Sequence, residues 1–173
     1  MQTTFSSSRL LQPVRPWFVL ATLFAAFMAN LLPATYVPWL PDWLAFVLCF
    51  WSVRETRRVG MGTALLFGLA MDVADGAIMG QHALAYVLLA YASGAVARRV
   101  LWFPLVQQAA HMLPLFVAAE LVQVLARLIA GADFPGFSVF VGPIFAGLMW
   151  VPGTYLLLLP QYQPVERDEN RPI

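Results

Sequence analysis

Lysine is absent from this chain, cysteine occurs once, and only 11% of its 173 residues are charged. Without lysine there is no phosphate-binding loop of the glycine-rich, lysine-terminated kind. The single cysteine, Cys49, cannot form an internal disulfide or anchor a cysteine-based metal site, and within an apolar run it reads as a small buried hydrophobe. Two histidines and scattered carboxylates give no HExxH-like spacing, so no metal site or cofactor is expected. No Ser/His/Asp or Cys/His arrangement stands out. Ten arginines against nine acidic residues leave a net charge of +1, a poor basis for nucleic-acid binding.

What is abundant is apolar: 61% of the residues are hydrophobic, well above a soluble domain's share. A helix crosses a hydrocarbon core of about 30 Å with roughly 20 residues, so six spans use about 120 residues. The remainder makes short loops and tails, too little for a separate soluble catalytic module. Residues 1–173 therefore read as a single all-α integral membrane domain, a six-transmembrane-helix bundle. Prolines, glycines and arginine clusters place the spans at about 17–32, 39–53, 60–75, 81–97, 101–130 and 137–159. The first lacks an A-x-A cleavage site and reads as an uncleaved span. The second is short and borrows residues 37–40 or sits where the bilayer is thin. In the fifth, Pro104 falls in the first turn and Pro114 should kink the helix.

Arginine placement sets the topology. With the N-terminus inside, Arg9, Arg15, Arg54, Arg57, Arg58, Arg98, Arg99, Arg167 and Arg171 all fall inside, and only Arg127 lies near the outer side. Both termini are then cytoplasmic. The six tryptophans fall mostly near span ends, as interfacial tryptophans do.

Ionisable residues within spans are functional candidates because their burial is costly. At 1.5 Å per residue, Asp72 lies roughly 18 Å and Asp75 about 22 Å from the inner side, with Glu120 about 28 Å along the fifth span. His82 opens the fourth span from outside. Asp72, Asp75, Gln81, His82, Glu120 and Arg127 therefore converge in the outer half, and Gln123 shares a helix face with Glu120 and Arg127. Plainer roles stand beside this: Asp75-Gly76 as a turn, Asp72 as a cap or interhelical hydrogen bonder, Glu120 and Arg127 as a mutually tolerated pair. His111, one turn from Gln107, reads as an interhelical hydrogen-bonding pair. Two small-residue ladders complete the pattern. Ala21, Ala25 and Ala29 form a stripe that lets another helix approach, within the bundle or from a partner, and Gly60, Ala64, Gly68 and Asp72 form one suited to packing inside the bundle.

The stretch from Phe67 through Asp72, Asp75-Gly76 and Gly80-Gln81-His82 to Leu84 resembles the signature of MreD, the rod shape-determining membrane protein family. Pro41-Asp42 before an apolar span, the arginines at 54–58, the length and six spans fit as well. The resemblance implies a non-enzymatic component of the bacterial elongation machinery in the inner membrane. It would work with MreC, RodA, a class B penicillin-binding protein and, indirectly, MreB to direct lateral peptidoglycan synthesis. It also implies a fold similar to the S components of energy-coupling-factor vitamin transporters, whose first-helix alanine stripe docks a membrane partner. Two other readings remain: a small-solute binder of that transporter type, with a pocket near Asp72, His82 and Glu120, and a membrane enzyme using Asp72 with His82 on lipid-linked precursors.

Overall fold

The structure, a computed structural model, describes residues 14–32 and 40–161, and among these every regular element is helical. The six α-helices are α1 (Pro16–Asn30), α2 (Trp43–Arg54), α3 (Met61–Ala74), α4 (Gln81–Val100), α5 (Leu105–Ile129) and α6 (Val141–Leu158). Short 3-10 segments precede α6 at Phe137–Phe140 and follow it at Leu159–Gln161. Arg9, Trp39, Arg167, Arg171 and residues 37–39 lie outside the described residues, and Leu40, which the second span is expected to borrow, stands just before the helix and not in it.

Consecutive helices alternate in direction. Arg58 donates from Nη1 to the Val14 carbonyl at 2.8 Å, which joins the end of α2 to the approach to α1. Gly142, opening α6, lies against the Leu40 carbonyl just before α2. Arg15, Arg54, Arg57, Arg58, Arg98 and Arg99 thus gather at one end of the bundle, and Arg127, in the last turn of α5, sits at the other.

α2 explains its own shortness. All ten residues from Leu44 to Val53 are buried, with α1, α4 and α6 packed around them. A helix enclosed by protein has no lipid belt to match along its length, so about 18 Å of helix suffices where a lipid-facing span needs more. It starts at Trp43 because Asp42 caps it, accepting a hydrogen bond from Ala45 N at 2.9 Å. The expected start at residue 101 for the fifth helix is also moved. Residues 101–103 turn, Pro104 takes the N-cap with extended backbone, and α5 begins at Leu105, since a residue before proline is pushed away from helical geometry. Helical hydrogen bonding continues past Pro114, and α6 likewise contains Pro152.

The core is aromatic. Phe46 stacks on Phe116 at 6.1 Å and meets Trp150 edge-on at 5.8 Å, while Phe50 meets Trp51 edge-on at 4.9 Å. Trp51 and Trp150 correct the interfacial reading of the tryptophans, since both are fully enclosed. Trp51 donates from Nε1 to Thr22 Oγ1 at 2.9 Å, and Trp150 faces Gln108 Oε1 at 3.5 Å. Trp17 and Trp102, by contrast, are exposed at helix ends.

The outside of the bundle is as apolar as the inside. Leu66, Val73, Val106, Ile129, Leu148 and Leu156 are all more than half exposed. A water-soluble fold does not carry such a surface, whereas lipid solvates it without cost. α4, α5 and the stretch Phe137–Gln161 are each long and apolar enough to cross a membrane.

Candidate functional site

The junction between α3 and α4 is built around one carboxylate. α3 stops because Gly76 takes φ +62°, which lets Gly76 N reach the Val73 carbonyl and Ala77 N reach the Asp72 carbonyl, a Schellman termination. The chain returns through Gly80, at φ +97°, directly into α4. The first N–H groups of a helix have no partner within it. Here the side chain of Asp72, on the preceding helix, supplies one. Its Oδ2 accepts from Gly80 N at 2.8 Å and, more distantly, from Ala83 N at 3.5 Å. Its Oδ1 accepts from His82 N at 2.7 Å and lies 3.0 Å from His82 Nδ1. The carboxylate has no exposed surface and is held by backbone donors at the positive end of a helix, which makes a buried anion tolerable.

The glycine ladder makes this reach possible. An added Cβ on Gly68 would lie 2.4 Å from Ala83 Cα and 2.7 Å from Ala83 N, so the α3 and α4 backbones touch one turn below Asp72. Ala64, Gly68 and Asp72 are all buried, and this ladder packs inside the bundle as expected.

A second carboxylate, which the sequence reading left unassigned, ties three helices. Asp42 Oδ1 accepts from Asn30 Nδ2 at 2.7 Å as well as from Ala45 N, and Asp42 Oδ2 accepts from the buried Tyr86 hydroxyl at 2.6 Å. Asn30 returns the contact by accepting from Trp43 N at 3.0 Å. The end of α1, the start of α2 and the second turn of α4 are clasped together. The signal was present in the sequence: an aspartate immediately before an apolar run is an N-cap signature.

Between these two knots and α5 lies a cavity of about 590 Å³ at the Arg127 end of the bundle. Asp75, Gln81, His82, Glu120 and Arg127 all line it. Of the outer-side residues singled out in the sequence, only Asp72 does not, because it is sealed beneath His82. His82 connects the two levels, its Nε2 lying 3.7 Å from Asp75 Oδ2. Gln123, predicted to share their face, lines the cavity too. Glu120 and Arg127 make no direct ion pair among the described residues, so the expected mutual pairing is reduced to an electrostatic interaction across one wall. His111 is corrected as well. It bonds the Gln107 carbonyl of its own helix at 2.7 Å and stacks on Phe103, on an exposed face with no interhelical hydrogen bond among the described residues.

The alanine stripe divides. α1 turns Val19, Leu23, Ala26 and Asn30 into the bundle; Ala21 and Ala25 are exposed on its other side, and Ala29 is half-buried between.

Chemically, Asp72 cannot act as an acid or base on a bound molecule, because its lone pairs are spent on α4 and no surface of it reaches the cavity. A helical bundle with an apolar exterior, one arginine-rich end and a polar cavity at the other defines a polytopic membrane protein. The sequence matches the family described as rod shape-determining protein MreD over residues 9–159, and the chain belongs to that family. It is 29% identical over 165 residues to the rod shape-determining protein MreD of Haemophilus influenzae, covering 91% of this chain and 94% of that protein. No solved structure matches. MreD is a family of shape-determining membrane proteins, and this chain's role in determining rod shape follows from membership.

Proposed function

We propose that this chain is a non-enzymatic inner-membrane component of the elongation complex, which binds MreC and through it helps RodA, a class B penicillin-binding protein and MreB to organise lateral peptidoglycan synthesis. The observation that carries the reading is the free side of α1. Its Ala21 and Ala25 form a smooth exposed strip, bordered by Leu20 and Phe24, on a helix that packs mainly against α2. In lipid, helices associate by close backbone approach at small residues, and such a strip admits a partner helix with little loss of side-chain entropy. The first-helix docking of transporter S components uses the same device, and the proposed likeness to that fold rests on this and the outer-end cavity. The arginine-rich end then faces the cytoplasm, with both termini on that side. Asp72 and His82 act by fixing the outer junction of α3 and α4, where Gln81 opens α4.

The test is co-purification of partners from solubilised membranes, comparing Ala25→Trp with Ala118→Trp, an equally bulky change at an exposed position of α5. MreC recovery should fall with Ala25→Trp and persist with Ala118→Trp. Unchanged recovery with Ala25→Trp and Ala21→Trp sinks the docking face. Recovery of transporter ATPase subunits in place of MreC sinks the elongation-complex reading.

A further inference from the structure

The outer cavity holds more polar capacity than the fold uses. Gln81 and Gln123 are each more than nine-tenths buried, both line the cavity, and neither amide has a hydrogen-bond partner among the described residues. Each carries two donors and an acceptor. Their polar atoms open onto the cavity instead of being sealed inside the protein, so a molecule in that space can reach both. Here the two come from different helices, α4 and α5, and flank the same space.

The charges around them select the ligand. Three carboxylates line the cavity, from Asp42, Asp75 and Glu120, against one arginine. Asp42 is saturated by Asn30, Ala45 and Tyr86. Asp75 lies near His82. Glu120 is half-buried and has no direct hydrogen bond or ion pair among the described residues, the Arg127 charge acting on it only across space. Arg127 follows Glu120 by seven residues on α5, about 10 Å further toward the end of the bundle. Among the described residues the lining is therefore predominantly anionic and rich in amides, with Arg127 its single arginine. An anion entering it meets repulsion, whereas a cationic nitrogen with N–H groups finds a charge partner in Glu120 and acceptors in the two glutamine carbonyls. The volume is within the range of small-ligand sites.

We propose that this cavity is a binding site for a primary ammonium group, with Glu120 as its counter-ion and Gln81 and Gln123 as its hydrogen-bonding walls. Two sources share that chemistry: a free alkylamine from the outer side, or the ethanolamine headgroup of a lipid at the outer leaflet. The site is independent of the α1 docking face, and either can hold without the other.

The full-length chain in phosphatidylglycerol nanodiscs is titrated with putrescine, with 1,4-butanediol and succinate as neutral and anionic controls of similar length, and ligand-induced thermal stabilisation is read. A parallel arm adds phosphatidylethanolamine to the nanodiscs. Saturable stabilisation by putrescine, weakened about tenfold or more in Glu120→Gln and absent for both controls, establishes the site with a free amine as its source. Stabilisation only by phosphatidylethanolamine, lost in Glu120→Gln, establishes it with the headgroup as its source. No stabilisation in either arm, an equal response in Glu120→Gln, or a preference for succinate overturns the proposal. Should Glu120→Gln fail to fold, Gln123→Leu is read in the same assay, and an unchanged response there overturns it equally.

Discussion

Replacing Asp72 by asparagine should be almost as damaging as replacing it by alanine, although asparagine has nearly the same shape. The carboxylate divides its work: Oδ1 takes His82 N at 2.7 Å and Oδ2 takes Gly80 N at 2.8 Å, with no exposed surface at the side chain. Hydrogen bonds to a charged acceptor contribute about 1.5–3 kcal/mol each, so losing both costs about 3–6 kcal/mol before any relief from no longer burying a charge. That relief, and water reaching His82 and Gly80 from the adjacent cavity, brings the net loss for Asp72→Ala to about 3 kcal/mol. In Asp72→Asn one oxygen still serves one N–H, but the new NH₂ faces the other N–H, donor against donor. The expected loss is within about 1 kcal/mol of the alanine value. The assay is reversible unfolding in mixed micelles, followed by cell-shape complementation at matched protein levels. His111→Ala is the control, because that side chain bonds a carbonyl of its own helix and stacks on Phe103 at an exposed face, and it should be close to neutral in both assays. Wild-type stability in Asp72→Asn would show that a single acceptor suffices and that the divided cap is wrong.

Three further outcomes follow from the same geometry. Gly68→Ala should destabilise by about 3 kcal/mol, at the upper end of overpacking costs, because its Cβ would meet backbone 2.4 Å away and the helices must part; unfolding in the same micelles reads it, and a neutral result refutes the close approach. Asp42→Ala should cost about 2–4 kcal/mol, from the lost cap and the buried Tyr86 hydroxyl left without its acceptor. Tyr86→Phe in that background should then cost almost nothing more, which a double-mutant cycle checks. Gly80→Ala should cost about 1–2 kcal/mol through backbone strain at φ +97°, with open space around the added methyl, and Gly80→Asn should lose less than Gly80→Ala.

Much of this architecture is legible in the sequence because lipid makes the code simple. Each helix must satisfy its own backbone, so apolar runs separated by Pro, Gly and Arg mark six helices with ends displaced by a few residues. The displacement at the fifth helix had a visible local cause in Pro104. The outer-side polar residues share one depth, and simple helical rise brings five of the six named ones to one cavity. Rise alone says nothing about which side chains finish inside another helix's cap. Asp72 and Asp75 are three residues apart and of one chemistry, yet one is sealed and the other lines open space. The difference is made by Gly68 and Gly76, which bring α4 over the first and turn the chain away at the second.

Trp51 and Trp150 show the complementary limit. Both stand near the ends or middle of apolar runs, where an indole reads equally as an interfacial anchor or as core, and only a partner for the ring N–H decides. Thr22 and Gln108, on other helices and 29 and 42 residues away, provide that partner. The burial of Trp51 within α2 and of Trp150 against it also accounts for the feature hardest to read from composition, a central helix of 12 residues. Hydropathy measures how a segment partitions into lipid, but α2 is solvated by aromatic side chains from the surrounding bundle. Its length is therefore set by the distance between the Asp42 clasp at one end and the Arg58–Val14 contact at the other, and not by the thickness of the membrane.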